Sequence, residues 1–181
     1  MLTAEQRQTL LSIARRSIEA VLDGRRPELD PSQLDETLLT PSGAFVSLHT
    51  KGGDLRGCIG SIEAVAPLCK AVQSNAINAA FRDPRFHPVT PEELPSLHIE
   101  ISVMSPIVGV SDVAEIEVGR DGLIIRRGGR AGLLLPQVAT QYGWDRETFL
   151  RQTCVKAGLP PDSWHDSACR IERFSAEVFG E

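Results

Sequence analysis

The sequence predicts an α+β fold: an antiparallel β-sheet flanked by helices. Three observations predict it. Strand-like segments arrive mostly as hairpins and not in regular βαβ alternation, which selects an antiparallel sheet. The stretch SLHIEISVMS alternates strictly between apolar and polar residues, the period of a half-buried strand. Three other segments repeat apolar residues at helical spacing, near residues 3–23, 66–81 and 145–158.

The elements follow in chain order. Thr3-Ala-Glu-Gln6 reads as a capping box, with Leu10, Ala14, Ile18 and Val21 or Leu22 as the apolar stripe and Gly24 as the stop. Residues 25–43 are punctuated by prolines and have room for one short helical turn. AFVSLHT (44–50) and LRGCIGS (55–61) are strands joined by Gly52-Gly53, read as a two-residue turn with positive φ at both glycines. AVAPLCKAVQSNAINAAF is a helix with Pro67 near its first turn. DPRFHPVTPEELP is an ordered loop, and 98–104 is the strictly alternating strand. After a linker with a short strand, DGLIIRRGGRAGLLLP makes a second hairpin around Gly128-Gly129. QVATQYG and WDRETFLRQTCVKAGL are helical, and CRIERFSAEVF closes the chain as a strand.

The chain of 181 residues suits one domain, or one with an inserted lobe. A net charge of −5 gives no broad phosphate-neutralising surface. The N-terminus MLTAEQRQTLLSIARR has no apolar signal region. No apolar run approaches the ~20 residues that span a bilayer. A cytoplasmic protein is expected. No metal quartet, phosphate loop or dinucleotide fingerprint occurs, so neither a bound metal nor a cofactor is expected.

Four cysteines are present, and none forms a C-x-x-C pair. Cys69 falls on a stripe with Val72, Ala76 and Ala80, and Cys154 on one with Leu150 and Ala157, both as small core residues. His165 and Cys169 are spaced to share a helix face. Cys58 is different. The turn predicts a register in which Val46 faces Ile59, Leu48 faces Gly57 and Thr50 faces Leu55. On the other side Ser47 faces Cys58 and His49 faces Arg56, so one face is apolar and the other carries Ser47, His49, Arg56 and Cys58. Arg56 and Cys58, two apart on a strand, have Cα atoms roughly 6.5 Å apart, and a guanidinium at that range favours a thiolate. Gly57 and Gly60 leave the backbone open to a ligand or another chain. The alternative is a small cysteine in a sheet, with the glycines serving packing.

LRGCIGS, NAAFRDPRFHPV, EISVMSP and GLIIRRGGRAGLLLPQVATQYGWDRETFLRQTCVKAGLPPDSW resemble the successive motifs of the AMMECR domain family, whose bacterial form is AmmeMemoRadiSam system protein A. LRGCIG is the most specific marker, and the resemblance runs from the first helix to the final EVF. It implies two lobes of unequal size in a single AMMECR-like domain over 1–181. The larger is built from N- and C-terminal parts, and the smaller is inserted. It implies no settled activity, but association with a Memo-like protein and a radical S-adenosylmethionine enzyme. The family's marker positions here are Arg56, Gly57, Cys58, Ile59 and Gly60, then Asp83, Pro84, Arg85 and Phe86. Glu100, Ser102, Pro106, Pro136 and Gln137 follow.

These positions also have physical readings. Alternation sets His98, Glu100 and Ser102 on one strand face, where Glu100 is a candidate base or a partner for Arg56. A half-buried sheet with its polar face in water accounts for the same pattern. Asp83 either holds its own loop through Arg85 or lines a pocket beside Cys58. His87 is the nearest histidine in that loop. Arg126, Arg127 and Arg130 form the one basic cluster, suited to an anion or to solubility. Three functions follow: a Cys58-centred enzyme or enzyme subunit, a non-catalytic adaptor using the LRGCIGS surface, and an RNA-associated accessory protein. The acidic net charge disfavours the third.

Overall fold

The computed structural model describes residues 1–181. They divide into two compact units, Met1–Met104 with Glu177–Glu181, and Ser105–Ala176. The architecture is α+β with antiparallel pairing in both units.

In the first unit, α1 (Ala4–Leu22) opens with the expected capping box. The Thr3 side chain accepts from the Gln6 amide, and the Gln6 side chain accepts from the Thr3 amide. The segment after it holds a 3₁₀ turn at Pro31–Gln33 and the single-turn α2 (Glu36–Leu39). Strands β1 (Ala44–His49), β2 (Leu55–Ser61) and β3 (His98–Met104) lie in the order β2-β1-β3, with β2 at the sheet edge. Helix α3 (Leu68–Phe81) precedes β3. One face of the sheet carries Ala44, Val46, Leu48, Ile99 and Ile101, all buried against the stripes of α1 (Leu10, Ala14, Ile18) and α3 (Cys69, Val72, Ala76, Ala80). Each of these larger aliphatic side chains contributes ~1.5–3 kcal/mol by leaving water. Phe45, Ser47 and His49, with Glu100 and Ser102, occupy the less buried face.

The second unit contains β4 (Val108–Gly109), the hairpin β5 (Asp121–Arg127) and β6 (Arg130–Leu134), α4 (Pro136–Gln141) and α5 (Arg146–Lys156). The final strand β7 (Arg170–Gly180) starts in this unit, where it pairs with β5 and β4, and ends in the first. The core holds Leu123, Ile125, Phe149, Leu150 and Cys154. Asp121 is also buried, 1% exposed. No helix is long and apolar enough to cross a membrane.

Three local expectations are corrected. Only Gly53 of the first hairpin has positive φ, at 88°. The Thr50 amide donates to the Asp54 carbonyl and the Gly53 amide to the Thr50 carbonyl, so the loop is Lys51-Gly52-Gly53, one residue longer than a two-residue turn. His49 therefore faces Leu55 and not Arg56, and Thr50 does not pair with Leu55. A bulge between Leu48 and His49 absorbs the extra residue, Arg56, and from Leu48–Gly57 inward the expected register returns, with Ser47 facing Cys58. Third, Cys169 precedes β7, and His165 ends a 3₁₀ turn, so these two share no helix face.

Candidate functional site: the Cys58 row and its clamp

Cys58 lies in the middle of the edge strand β2 and is partly exposed. Its amide donates to Asp83 Oδ2 at 2.9 Å, and its carbonyl accepts from Arg85 Nη2 at 3.3 Å. Both groups thus point away from β1, which makes Ser47–Cys58 a non-hydrogen-bonded pair whose side chains lie close together. Accordingly, the Ser47 hydroxyl donates to Cys58 Sγ at 3.2 Å. On the opposite side of β1, Ser47 faces Glu100 of β3. A thiol, a hydroxyl and a carboxylate therefore stand in one row across three strands, on one face of the sheet, with Cβ atoms of neighbours about 5 Å apart.

The clamp on Cys58 comes from the loop after α3. Asp83 is buried, 4% exposed, and Arg85 grips it with Nε at 2.9 Å and Nη2 at 2.7 Å. The Arg85 hydrogen bond, against the opposing effect of burial and aided by the amides of Cys58 and Arg85, holds the Asp83 carboxyl well below the usual range. Its negative charge is hidden. The Arg85 side chain remains 55% exposed, so the clamp shows solvent a cation. Asp83 holds its own loop through Arg85, as one of the two sequence readings has it, and it also secures the Cys58 strand.

Arg56 acts elsewhere. Its Nε and Nη2 bond Glu93 at 2.6 and 3.0 Å, and that hydrogen bond, outweighing burial, lowers the Glu93 carboxyl. Glu93, not Glu100, is the partner of Arg56, because the bulge removes Arg56 from the alternation. The Phe86 ring is flanked by Arg56 and Arg85, whose guanidinium carbons lie 5.8 and 5.4 Å from its centre. Glu100 lies 3.8 Å from His49 Nε2, and that nitrogen is buried without a hydrogen-bond partner.

The glycines serve packing. A Cβ on Gly57 would sit 2.2 Å from the Ala79 carbonyl oxygen of α3, and one on Gly60 would strike the Phe45 ring at 2.4 Å. The space reserved at these positions is filled by the protein itself. Ser102 faces Phe45, one row from Cys58. His87 is exposed in the loop, and Gln137 is exposed in the first turn of α4 in the second unit.

Sequence reasoning missed Glu93. Its only signal is the acidic pair in PEELP, which nothing in the sequence connects to β2. Burial, first among the causes, pushes the Cys69, Cys154 and Cys169 thiols up. No three His, Cys, Asp or Glu side chains gather as metal ligands. An open groove of about 650 Å³ runs along α1, between it and residues 28–34, but its walls hold no cysteine or histidine.

The AMMECR1 family model matches residues 11–179. A protein of Methanothermobacter thermautotrophicus is 47% identical, covering 99% of this chain and 96% of its own. One of Methanocaldococcus jannaschii is 43% identical over 100% of this chain and 92% of its own. A crystal structure of an uncharacterised protein from Pyrococcus horikoshii, 41% identical, superposes with a TM-score of 0.83, covering 99% of this chain and 93% of that one.

Proposed function

The chain belongs to the AMMECR1 family, and from that premise we propose that it is an enzyme or enzyme subunit whose nucleophile is the Cys58 thiol. The observation that carries this reading is the row Cys58–Ser47–Glu100, with Ser47 Oγ 3.2 Å from the sulfur. The Ser47 hydroxyl, which donates to the sulfur, stabilises the thiolate, and the Glu100 carboxylate, next in the row, takes up the thiol proton through solvent. The thiolate sulfur then attacks an electrophilic carbon, forming an S–C bond as the leaving group departs with its electron pair. The Asp83–Arg85 clamp fixes the strand backbone on both sides of the attacking residue. In this reading the chain works in the cytoplasm with a Memo-like protein and a radical S-adenosylmethionine enzyme, the partners that the family resemblance implies.

An adaptor that recognised a partner through LRGCIGS by strand addition would use the edge of β2. That edge is already occupied at Cys58 by Asp83 and Arg85, which take the amide and carbonyl that an added strand would use. The discriminating experiment is site-resolved alkylation with iodoacetamide, followed by mass spectrometry on the folded protein. Cys58 is expected to react ahead of Cys69, Cys154 and Cys169, and Glu100→Gln is expected to slow it. If Cys58 reacts no faster than Cys154, the thiol is a packing residue and the adaptor reading replaces this one.

A further inference from the structure

Far along the chain from Cys58, the tip of the β5–β6 hairpin gathers positive charge in a way the fold does not require. Arg127 faces Arg130 across the turn, and Arg126 faces Arg170 on β7. Like charges directly opposite one another destabilise a sheet, and here two such pairs adjoin. Two carboxylates answer four guanidinium groups. Arg126 Nε bonds Glu172 at 2.9 Å and Arg127 Nη2 bonds Asp166 at 2.7 Å. Arg170 reaches Glu172 only at 3.9 Å, and Arg130 donates to a neutral group, the Gly158 carbonyl, at 2.7 Å. An excess of two positive charges remains, in a chain of net charge −5.

The four arginines line one open hollow of about 320 Å³, together with Gly128, Gly129, Ala131 and Ala168. Arg170 is 73% exposed and Arg126 44%, so their side chains can turn toward an incoming charge at little loss, because exposed ion pairs are weak. Gly128 and Gly129, with φ of 54° and 80°, form the tight tip. A Cβ at either would meet nothing within 4 Å, so the backbone there is open to approach.

We infer that this hollow is a binding site for a phosphoryl group carried on a small molecule, held by Arg126, Arg127, Arg130 and Arg170. Guanidinium groups match phosphate oxygens in bidentate geometry, and a dianion cancels the excess charge. A long nucleic acid fits less well. The hollow is small, none of its lining residues is aromatic, and the chain's net charge opposes a polyanion. The site is independent of Cys58.

The test is titration of the ¹⁵N-labelled 181-residue chain with sodium pyrophosphate, followed by amide shifts and by thermal unfolding. Saturable shifts at Arg126–Ala131 and Ala168–Arg170 are expected, together with a rise in melting temperature and weakening as salt is raised. The variant Arg130→Gln/Arg170→Gln removes two cations but spares both short ion pairs. It is expected to bind at least about 10-fold more weakly, with an anion-free melting temperature equal to or above the parent's, since repulsion is relieved. Shifts that never saturate, or undiminished binding by the variant, overturn the inference. So does a lower anion-free melting temperature, which would make the arginines structural. Saturation by a single-stranded RNA oligonucleotide without a response to pyrophosphate overturns it as well, in favour of a nucleic-acid site.

Discussion

Each unit buries one aspartate beside an arginine, yet the two carboxylates do different work. Asp121 bonds the amide of Glu117, four residues back, and is held by Arg120 and by Arg173 of β7. Burial pushes its carboxyl up, but the hydrogen bonds from Arg120 and the Glu117 amide, with the charges of Arg120 and Arg173, outweigh this and lower it. Glu117 and Arg120 close a turn with it at the start of β5, and Arg173 ties that turn to β7. Asp83 spans 25 residues to the Cys58 amide, and its arginine also holds the Cys58 carbonyl while remaining largely exposed. A buried, strongly acidic carboxylate is therefore not itself a mark of function. What its clamp secures, and what it leaves facing solvent, makes the difference.

Removing each carboxylate tests that contrast directly. Asp121→Ala leaves the Glu117 amide without its acceptor and takes one partner each from Arg120 and Arg173, which keep Glu117 and Glu115, so a loss of about 3 kcal/mol is expected in denaturant unfolding. Cys58 alkylation should not change. Asp83→Asn keeps a hydrogen-bond acceptor but loses the charge, and a smaller loss of ~1–3 kcal/mol is expected, now with an altered Cys58 alkylation rate. Equal thiol responses from the two variants would break the contrast. Gly57→Ala drives a methyl group into the Ala79 carbonyl, and ~1–3 kcal/mol of destabilisation is expected from overpacking; an unchanged melting temperature would return Gly57 to the list of ligand-facing positions.

Acid sharpens the same comparison. Both carboxyls have folded-state values below their ordinary 3.8. Each therefore adds stability that is complete above that pH and is lost as pH falls through the lower folded value. The parent should lose stability progressively below about pH 4, and Asp83→Asn should show a shallower acid limb in a series of unfolding curves. The smallest effect concerns the two arginines near Phe86. Arg85→Gln is expected to change the rate of Cys58 alkylation more than Arg56→Ala, because Arg85 touches the Cys58 backbone and Arg56 is committed to Glu93.

Much of the first unit was legible in sequence. The alternation in 44–50, 55–61 and 98–104 placed three strands, and the Ser47–Cys58 pairing emerged correctly. It did so through two departures that cancel: a loop one residue longer than expected, and a bulge at Arg56 that takes up the extra residue. Periodicity cannot register such a pair, because beyond the bulge every side chain is back on its expected face. The error survives only at the loop end, where His49 and Thr50 meet Leu55 and Asp54 and Arg56 is left in the bulge with Glu93 as its charge partner. Glycine roles were undetermined for a related reason: a missing Cβ says that something comes close, not whether it is a ligand or, as at Gly57, a helix of the same chain.

By itself, then, the sequence determined the α+β class, the helical stripes that bury Cys69 and Cys154, and the strand face shared by Ser47 and Cys58. All of these follow from spacing along the chain, which a local period records. Only the tertiary structure decided that Glu93 claims Arg56, that Asp83 and Arg85 grip Cys58, and that Arg126 meets Arg170. Those contacts join residues 25 to 44 positions apart. Their geometry depends on how the chain returns to itself, and no local pattern encodes that return.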